Sequence, residues 1–301
     1  MSLLVTGTVA IDSVKTPFGE QPDCLGGSAT YFSVAASHFG PVRLVSAVGE
    51  DFPDDYLRIF AGRPIDTLGL ERRPGSKTFR WAGSYQGTMS EAATLDTQLN
   101  ILAEAPPVIP ESFRNSKFIF LANTAPEVQL HLLRQLDSPA LVVADTMNYW
   151  IRNSRPDLDK LIQHVNALVL NDAEARMLTG QANLIAAAAA IIKMGLDFVV
   201  IKKGEHGALL LTRKNEPFVL PAYPTAAVKD PTGAGDSFAG GMMGYLAARN
   251  NFEQSTLKKA LAYGTCVASL VIEDFSLDRW NTADRNDIDN RLDQLRNMII
   301  F

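Results

Sequence analysis

From about residue 116 onward, short apolar runs rich in β-branched residues alternate with amphipathic stretches, and few architectures accommodate that order. Segments 118–121, 141–144, 167–170 and 198–201 read as buried strands. Segments 127–136, 158–164, 172–178 and 185–194 between them read as helices. Strands alternating with helices predict an α/β fold whose central sheet is mostly parallel and covered on both faces. The N-terminal part fits the same scheme. Segment 3–9, LLVTGTV, reads as a buried strand. Gly26-Gly27-Ser28 opens a small-residue helix to about Phe39, which Gly40-Pro41 stops, and 42–48 is another strand. Near the other end, 208–211 and 218–220 read as a hairpin, and 237–248 and 257–272 as helices.

Two segments break the pattern. Residues 11–25 are polar and carry Pro17, Gly19 and Pro22, and residues 77–96 are aromatic, β-prone and interspersed with glycine. Both look like strands of a small sheet standing off the main core. In open parallel sheets, ligands bind beyond the carboxyl ends of the strands, so the loops that matter are 7–12, 123–126, 145–148, 171–174, 202–207 and 230–236.

Composition narrows the partners. The 301 residues are 47% apolar and 20% charged, which suits a large globular core. A net charge of −5 gives no support to a nucleic-acid footprint. Cys24 and Cys266 are the only cysteines, so there is no disulfide framework and no multi-cysteine zinc pattern. The start of the chain lacks the basic residues and long apolar stretch of a signal peptide. The longest apolar run, 184–192, falls far short of the ~20 residues of a membrane helix. The expectation is a cytoplasmic protein with small-molecule partners, neither nucleic acid nor membrane.

The segment 228–244, VKDPTGAGDSFAGGMMG, carries the chemistry. Gly233-Ala234-Gly235 is a small-residue turn leading straight into a helix. Such a turn leaves the first helical N–H groups unpaired and lets an anion come close to the backbone, where the helix dipole favours it. Asp236 sits at the mouth of this turn and would repel a phosphate unless it has work of its own. One reading is a general base that takes a proton from a hydroxyl attacking phosphorus, kept ionised by the positive helix end. The other is an ordinary helix N-cap. Gly240 and Gly244, four apart, allow that helix to pack closely. No G-x-x-x-x-G-K-[ST] loop is present, the dinucleotide pattern fails at its last position, and no two of the four histidines have metal-ligand spacing.

DPTGAGDSFAGG at 230–241 resembles the C-terminal signature of the ribokinase-like, or PfkB, carbohydrate and nucleoside kinases. GGSATYFSVAASHFGPVRLVSAVGED at 26–51 resembles the N-terminal signature of that family. Asn171-Asp-Ala-Glu174 is similar to its N-x-x-E motif, and Lys203-Gly204-Glu205-His206-Gly207 to its late glycine turn. The resemblance spans nearly the whole chain. It implies a three-layer α/β/α core formed by 1–11, 26–76 and 97–301, with a β lid formed by 12–25 and 77–96. It implies ATP and Mg²⁺, and K⁺ in those members that use it. Asp236 would be the catalytic base, and the amides of Gly233, Ala234 and Gly235 the anion hole. Asn171, Lys203, Gly204, Gly207 and Thr232 would face the nucleotide. Glu174 would hold Mg²⁺ through water, and Asp230 a monovalent cation. Asp12, Gly26, Gly27, Tyr31, Trp81 and Asn148 would face the acceptor.

Plain structural roles stand beside these. Asn171 and Glu174 also read as a helix cap with its partner three residues on, Asp12 as a strand-end turn residue, and Gly204 and Gly207 as hairpin punctuation. One position departs from the pattern. Many sugar kinases of the family place Asn where this chain has Tyr31. With Phe79, Trp81 and Tyr85 nearby in sequence, that suggests an acceptor with a flat apolar part. The first reading of the acceptor is the primary hydroxyl of a small sugar. The alternatives are a nucleoside, and a non-catalytic binding protein on the same fold. An exposed lid sheet would have an edge needing cover, which suggests a homodimer through the lid.

Overall fold

The computed structural model describes residues 2–300; the outermost residues of the expected core, 1 and 301, lie outside it. In chain order, strands β1 (Leu3–Thr6), β2 (Ala10–Thr16), β3 (Gly19–Gly26), β4 (Val42–Gly49) and β5 (Ile65–Arg73) come first. Strands β6 (Arg80–Tyr85), β7 (Ala92–Gln98), β8 (Phe118–Leu121) and β9 (Leu141–Asp145) follow. The last are β10 (Ala167–Asn171), β11 (Phe198–Lys202), β12 (Ala208–Thr212) and β13 (Pro217–Leu220). Nine of them form one sheet in the order β13-β12-β11-β10-β9-β8-β1-β4-β5. From β11 to β5 every pairing is parallel; only β12 and β13 run antiparallel at one edge.

The central strands are short, apolar and buried on both faces, as parallel strands between two helical layers must be. Alternate residues of each strand feed opposite cores. Phe118 and Phe120 of β8 join Val143, Val169 and Val200 on one face. That face lies under helices Ser28–Ser37, Ala234–Arg249 and Gln254–Val271. Ile119 and Leu121 join Val142, Leu168 and Val199 on the other, under Pro126–Leu133, Arg155–Ile162 and Leu184–Lys193. A Cβ on Gly240 would lie 2.5 Å from the Phe32 carbonyl oxygen, and one on Gly244 3.0 Å from that of Ala36. Those two glycines let helix Ala234–Arg249 seat directly on helix Ser28–Ser37.

The second sheet has the order β3-β2-β6-β7. Its β2 pairs antiparallel with β3 and parallel with β6, in a register that sets Asp12 beside Trp81. Strand β7 ends the sheet and is exposed along its whole length. The single strand expected over 3–9 is divided instead. β1 ends at Thr6 in the large sheet, and three residues later β2 begins in the small one. A Cβ on Gly7 would lie 2.7 Å from that of Ala122, so the crossing uses the one residue that fits. Helix Asp54–Ala61 and strand β5, which follow β4, have no counterpart in the sequence reading. No single helix is long and apolar enough to cross a membrane.

Candidate active site

Strands β1, β8, β9, β10 and β11 end side by side. From β1 the chain leaves toward β4 on one side, then returns to β8 on the other. This switch in direction opens the crevice in which α/β sheets bind ligands. Helix Ala234–Arg249 points its N-terminus at that crevice.

Gly233 is the N-cap of the helix, with φ 71° and no side chain bonded to the first-turn amides. Those amides are therefore free donors. The left-handed φ favours glycine, and a Cβ there would lie 2.3 Å from the Tyr31 ring. Asp236, the third helical residue, caps nothing, so the N-cap alternative falls. The ionised state expected from the helix end also needs correcting. Burial, the Asp145 carboxylate and that of Asp12 push Asp236 up to about 8, with Lys202 opposing.

Asp12 faces the crevice from β2. It is 4% exposed, and its Oδ1 has no hydrogen-bond partner. Burial pushes it up to about 7 against the Gly27 amide, with Asp230 adding to the rise. A Cβ on Gly26 would strike the Asp12 carboxylate, and one on Gly27 would lie 2.4 Å from the Thr8 carbonyl oxygen. The Gly-Gly turn thus makes room for Asp12 and starts helix Ser28–Ser37 close against it.

The other strand ends supply charge. Asp145 closes β9, is 6% exposed, and accepts the Thr146 amide at 2.8 Å. Lys202 closes β11, with its Nζ 3.7 Å from Asp145 Oδ2. Asn171 closes β10 and forms a full capping box: its Oδ1 accepts the Glu174 amide at 2.8 Å, and Glu174 Oε2 accepts the Asn171 amide at 2.7 Å. Glu174 is 8% exposed and pushed up to about 7 by burial and by Asp145, with Lys202 opposing.

The remaining expected site residues separate into those at the crevice and those away from it. Tyr31 does not present a face to a ligand. It is 1% exposed, and its ring is packed beneath Gly233. Trp81 is half-buried on β6, lies over Gly83, and donates to Thr94 Oγ1 at 3.2 Å. Tyr85, from the same strand, reaches the signature segment, where Thr232 Oγ1 donates to its hydroxyl at 3.3 Å. Asn148 opens the short helix Asn148–Asn153 and is exposed; the buried polar group of its loop is Asp145. Lys203 donates its amide to the Gly207 carbonyl, closing the β11–β12 turn, while its neighbour Lys202 carries the ammonium into the crevice. Gly204, with φ 54°, lies exposed on that turn. Gly207 packs so tightly that a Cβ would lie 2.0 Å from the Leu220 carbonyl oxygen.

Asp230 is 1% exposed, and both of its carboxylate oxygens are engaged. Oδ1 accepts the Thr232 amide at 2.9 Å and Oδ2 the Ser276 amide at 3.2 Å. It ties the signature turn to the 272–276 loop. Among the described residues, no three His, Cys, Asp or Glu side chains group to hold a metal. That suits Mg²⁺, which takes one or two carboxylates and completes its shell with water and phosphate oxygens. Glu174 and Asp145 are the acidic groups placed for it.

Comparison with known proteins agrees with this geometry. Residues 23–282 match the pfkB family carbohydrate kinase. The cytidine kinase of Thermococcus kodakarensis is 32% identical over 256 residues, 83% of this chain and 90% of that protein. The nucleoside kinase of Methanocaldococcus jannaschii is 26% identical, over 82% of this chain and 79% of that protein. A putative ribokinase II from E. coli, solved in complex with ATP and Mg²⁺, superposes with a TM-score of 0.79 at 17% identity, covering 97% of this chain and 99% of the other. A free helix end facing a buried carboxyl, on a ribokinase fold and in a matching sequence, has one explanation: the chain belongs to the pfkB family of carbohydrate kinases.

Proposed function

We propose that this kinase phosphorylates the primary, 5′ hydroxyl of a nucleoside, with ATP as donor. The observation that carries the acceptor class is the likeness to a cytidine kinase and a nucleoside kinase over four-fifths of the chain. The small sugar read first from the sequence gives way to the nucleoside on that ground. The acceptor clue from Tyr31 also lapses, because that ring is packed beneath Gly233. Trp81 and Tyr85 on β6 are the aromatic groups left for the base.

In this reading Asp12 accepts ribose hydroxyls, and its unpartnered Oδ1 is the atom available for them. Asp236 takes the proton of the attacking hydroxyl. A bond forms from that oxygen to the γ-phosphorus, and the bond to the β,γ-bridging oxygen breaks. The amides of Gly233, Ala234 and Gly235 meet the charge on the transferring group. Mg²⁺, near Glu174 and Asp145, supplies charge neutralisation on the phosphates when bound. Asn171 and the Lys203–Gly207 turn flank the nucleotide, and Thr232 sets Tyr85 above the site. No potassium step is included, since both oxygens of Asp230 already accept peptide amides. The small sheet closes over the acceptor and excludes water, the competing phosphoryl acceptor.

The test is ADP release from ATP and Mg²⁺ across a panel of pentoses, hexoses and nucleosides, with Asp236→Asn as the blank. Nucleoside-dependent turnover is expected. Turnover with free sugars alone would overturn the acceptor class, and none with any acceptor would favour a binding protein. We also propose that a second copy covers the small sheet, whose edge strand β7 is exposed throughout and carries Leu95 at 63% exposure. Light scattering at micromolar protein should give twice the mass of one chain, 32.8 kDa; a monomer would refute the pairing.

A further inference from the structure

Lys202 is the one cation in the crevice that none of the roles above uses. It is the last residue of β11, and its side chain is 18% exposed. The ammonium does not extend into solvent, as its neighbours on the following turn do. It lies against the glycine turn, where a Cβ on Gly235 would come within 2.7 Å of Nζ. The nearest anionic atom recorded for it is Asp145 Oδ2, at 3.7 Å, too far for a hydrogen bond. Glu174 and Asp236 are close enough for their charges to act on it. Burial works against that charge, yet the three carboxylates outweigh burial and hold the lysine protonated.

A half-satisfied ammonium beside free helical amides is a costly arrangement for a merely structural ion pair, because a buried charge needs close hydrogen-bonded partners. It is an economical one for a group waiting on a second anion. We propose that Lys202 is the charged arm of the phosphate site: its ammonium, held loosely on Asp145 beside Gly235 in the empty site, moves onto the terminal phosphate of the donor and completes the anion pocket begun by the amides of residues 233–235. The lysine keeps its proton and forms no covalent bond. It supplies a positive charge opposite the helix end, on the group whose charge changes as the phosphoryl moves. Gly235 has a second role in this arrangement, since any side chain there would occupy the place of the ammonium.

This inference rests on the kinase reading, and nucleotide binding separates the two. Lys202→Met is compared with the unaltered protein for Mg²⁺-ATP and Mg²⁺-ADP affinity by calorimetry, alongside kcat. A contact to the terminal phosphate alone predicts ATP binding weakened about tenfold, ADP binding changed less than about threefold, and kcat lowered roughly 100-fold. Lys202→Arg should recover part of the ATP preference. Equal weakening of ATP and ADP, or no change in either, would overturn the proposal. Should Lys202→Met fail to fold because Asp145 is left uncompensated, the double variant with Asp145→Asn leaves neither charge unpaired and is read in its place by the same ATP-to-ADP ratio. Failure of the kinase reading looks different: the unaltered protein would prefer ATP over ADP and yet turn over no acceptor.

Discussion

At the residue scale, the site is a negotiation among buried charges. Three carboxyl groups, those of Asp12, Glu174 and Asp236, are pushed up to about 7, 7 and 8, with burial as the leading cause in each case. A group raised in the folded state binds its proton more tightly there than in the unfolded chain. Stability is then highest below the ordinary carboxyl range and falls as pH climbs through about 8. Asp236→Asn removes one such group. Its urea midpoint should gain on that of the unaltered protein between pH 5 and pH 8, while kcat drops about 1000-fold. A constant difference in midpoint across that range would show that Asp236 is not perturbed by burial, and a retained kcat would remove it from catalysis. Much of this cluster was legible. The GAGD turn announced both the free amides and Asp236, because glycines before a helix have few other uses. Asp145 and Lys202 were harder to see. Their loops were flagged as strand ends, but the choice within each went to Asn148 and Lys203. In each case the last strand residue, not the loop residue, turns into the crevice, and side-chain direction at a strand end depends on where the strand stops. β9 was read as ending at 144 and β11 at 201, one residue early in both, so each charged side chain fell outside its strand.

At the element scale, one motif serves two purposes. Asn171 caps helix Asp172–Thr179 through a complete capping box and also stands at the end of β10, facing the nucleotide side of the crevice. Substitution can separate the purposes, because serine caps a helix about as well as asparagine but lacks the amide. Asn171→Ala should lower stability by about 1 kcal/mol and Asn171→Ser by much less. If the amide also serves the nucleotide, both variants should raise the KM for ATP by a similar factor. A KM that follows stability instead, changed in the alanine variant and normal in the serine variant, would reduce Asn171 to a cap. Elements with a strong period and clear stops were readable in advance: β8 through β13 and the two long helices fall within a few residues of where periodicity put them. Helix Asp54–Ala61 and β5 were not. Only Phe60 is buried in that helix, and β5 has few buried positions because it edges the sheet, so neither carries the continuous apolar signal of a central element.

At the scale of the whole molecule, the acceptor and donor sites are built on different parts of the chain that meet at one point. Asp12 belongs to the small sheet, while the helix end, Asp145, Glu174 and Lys202 belong to the large one. The Tyr85–Thr232 bond ties the small sheet to the signature segment, and Arg80 pairs with Asp23 at 2.7 Å within the small-sheet segments. If the small sheet closes as a unit, ordering it for one ligand reduces the cost of ordering it for the other, and the two sites become coupled. Each ligand at a hundred times its Kd should add about 2.7 kcal/mol, which for a chain of this length raises Tm by roughly 4 °C. Coupling predicts more than the sum when a nucleoside and a non-hydrolysable ATP analogue are present together. It also predicts that Tyr85→Phe, which loses the tie but keeps the ring, lowers the excess while leaving the two single-ligand shifts nearly intact. Additive shifts in the unaltered protein would mean that the small sheet is a fixed wall of the acceptor site, and water would then have to be excluded by the bound nucleoside alone.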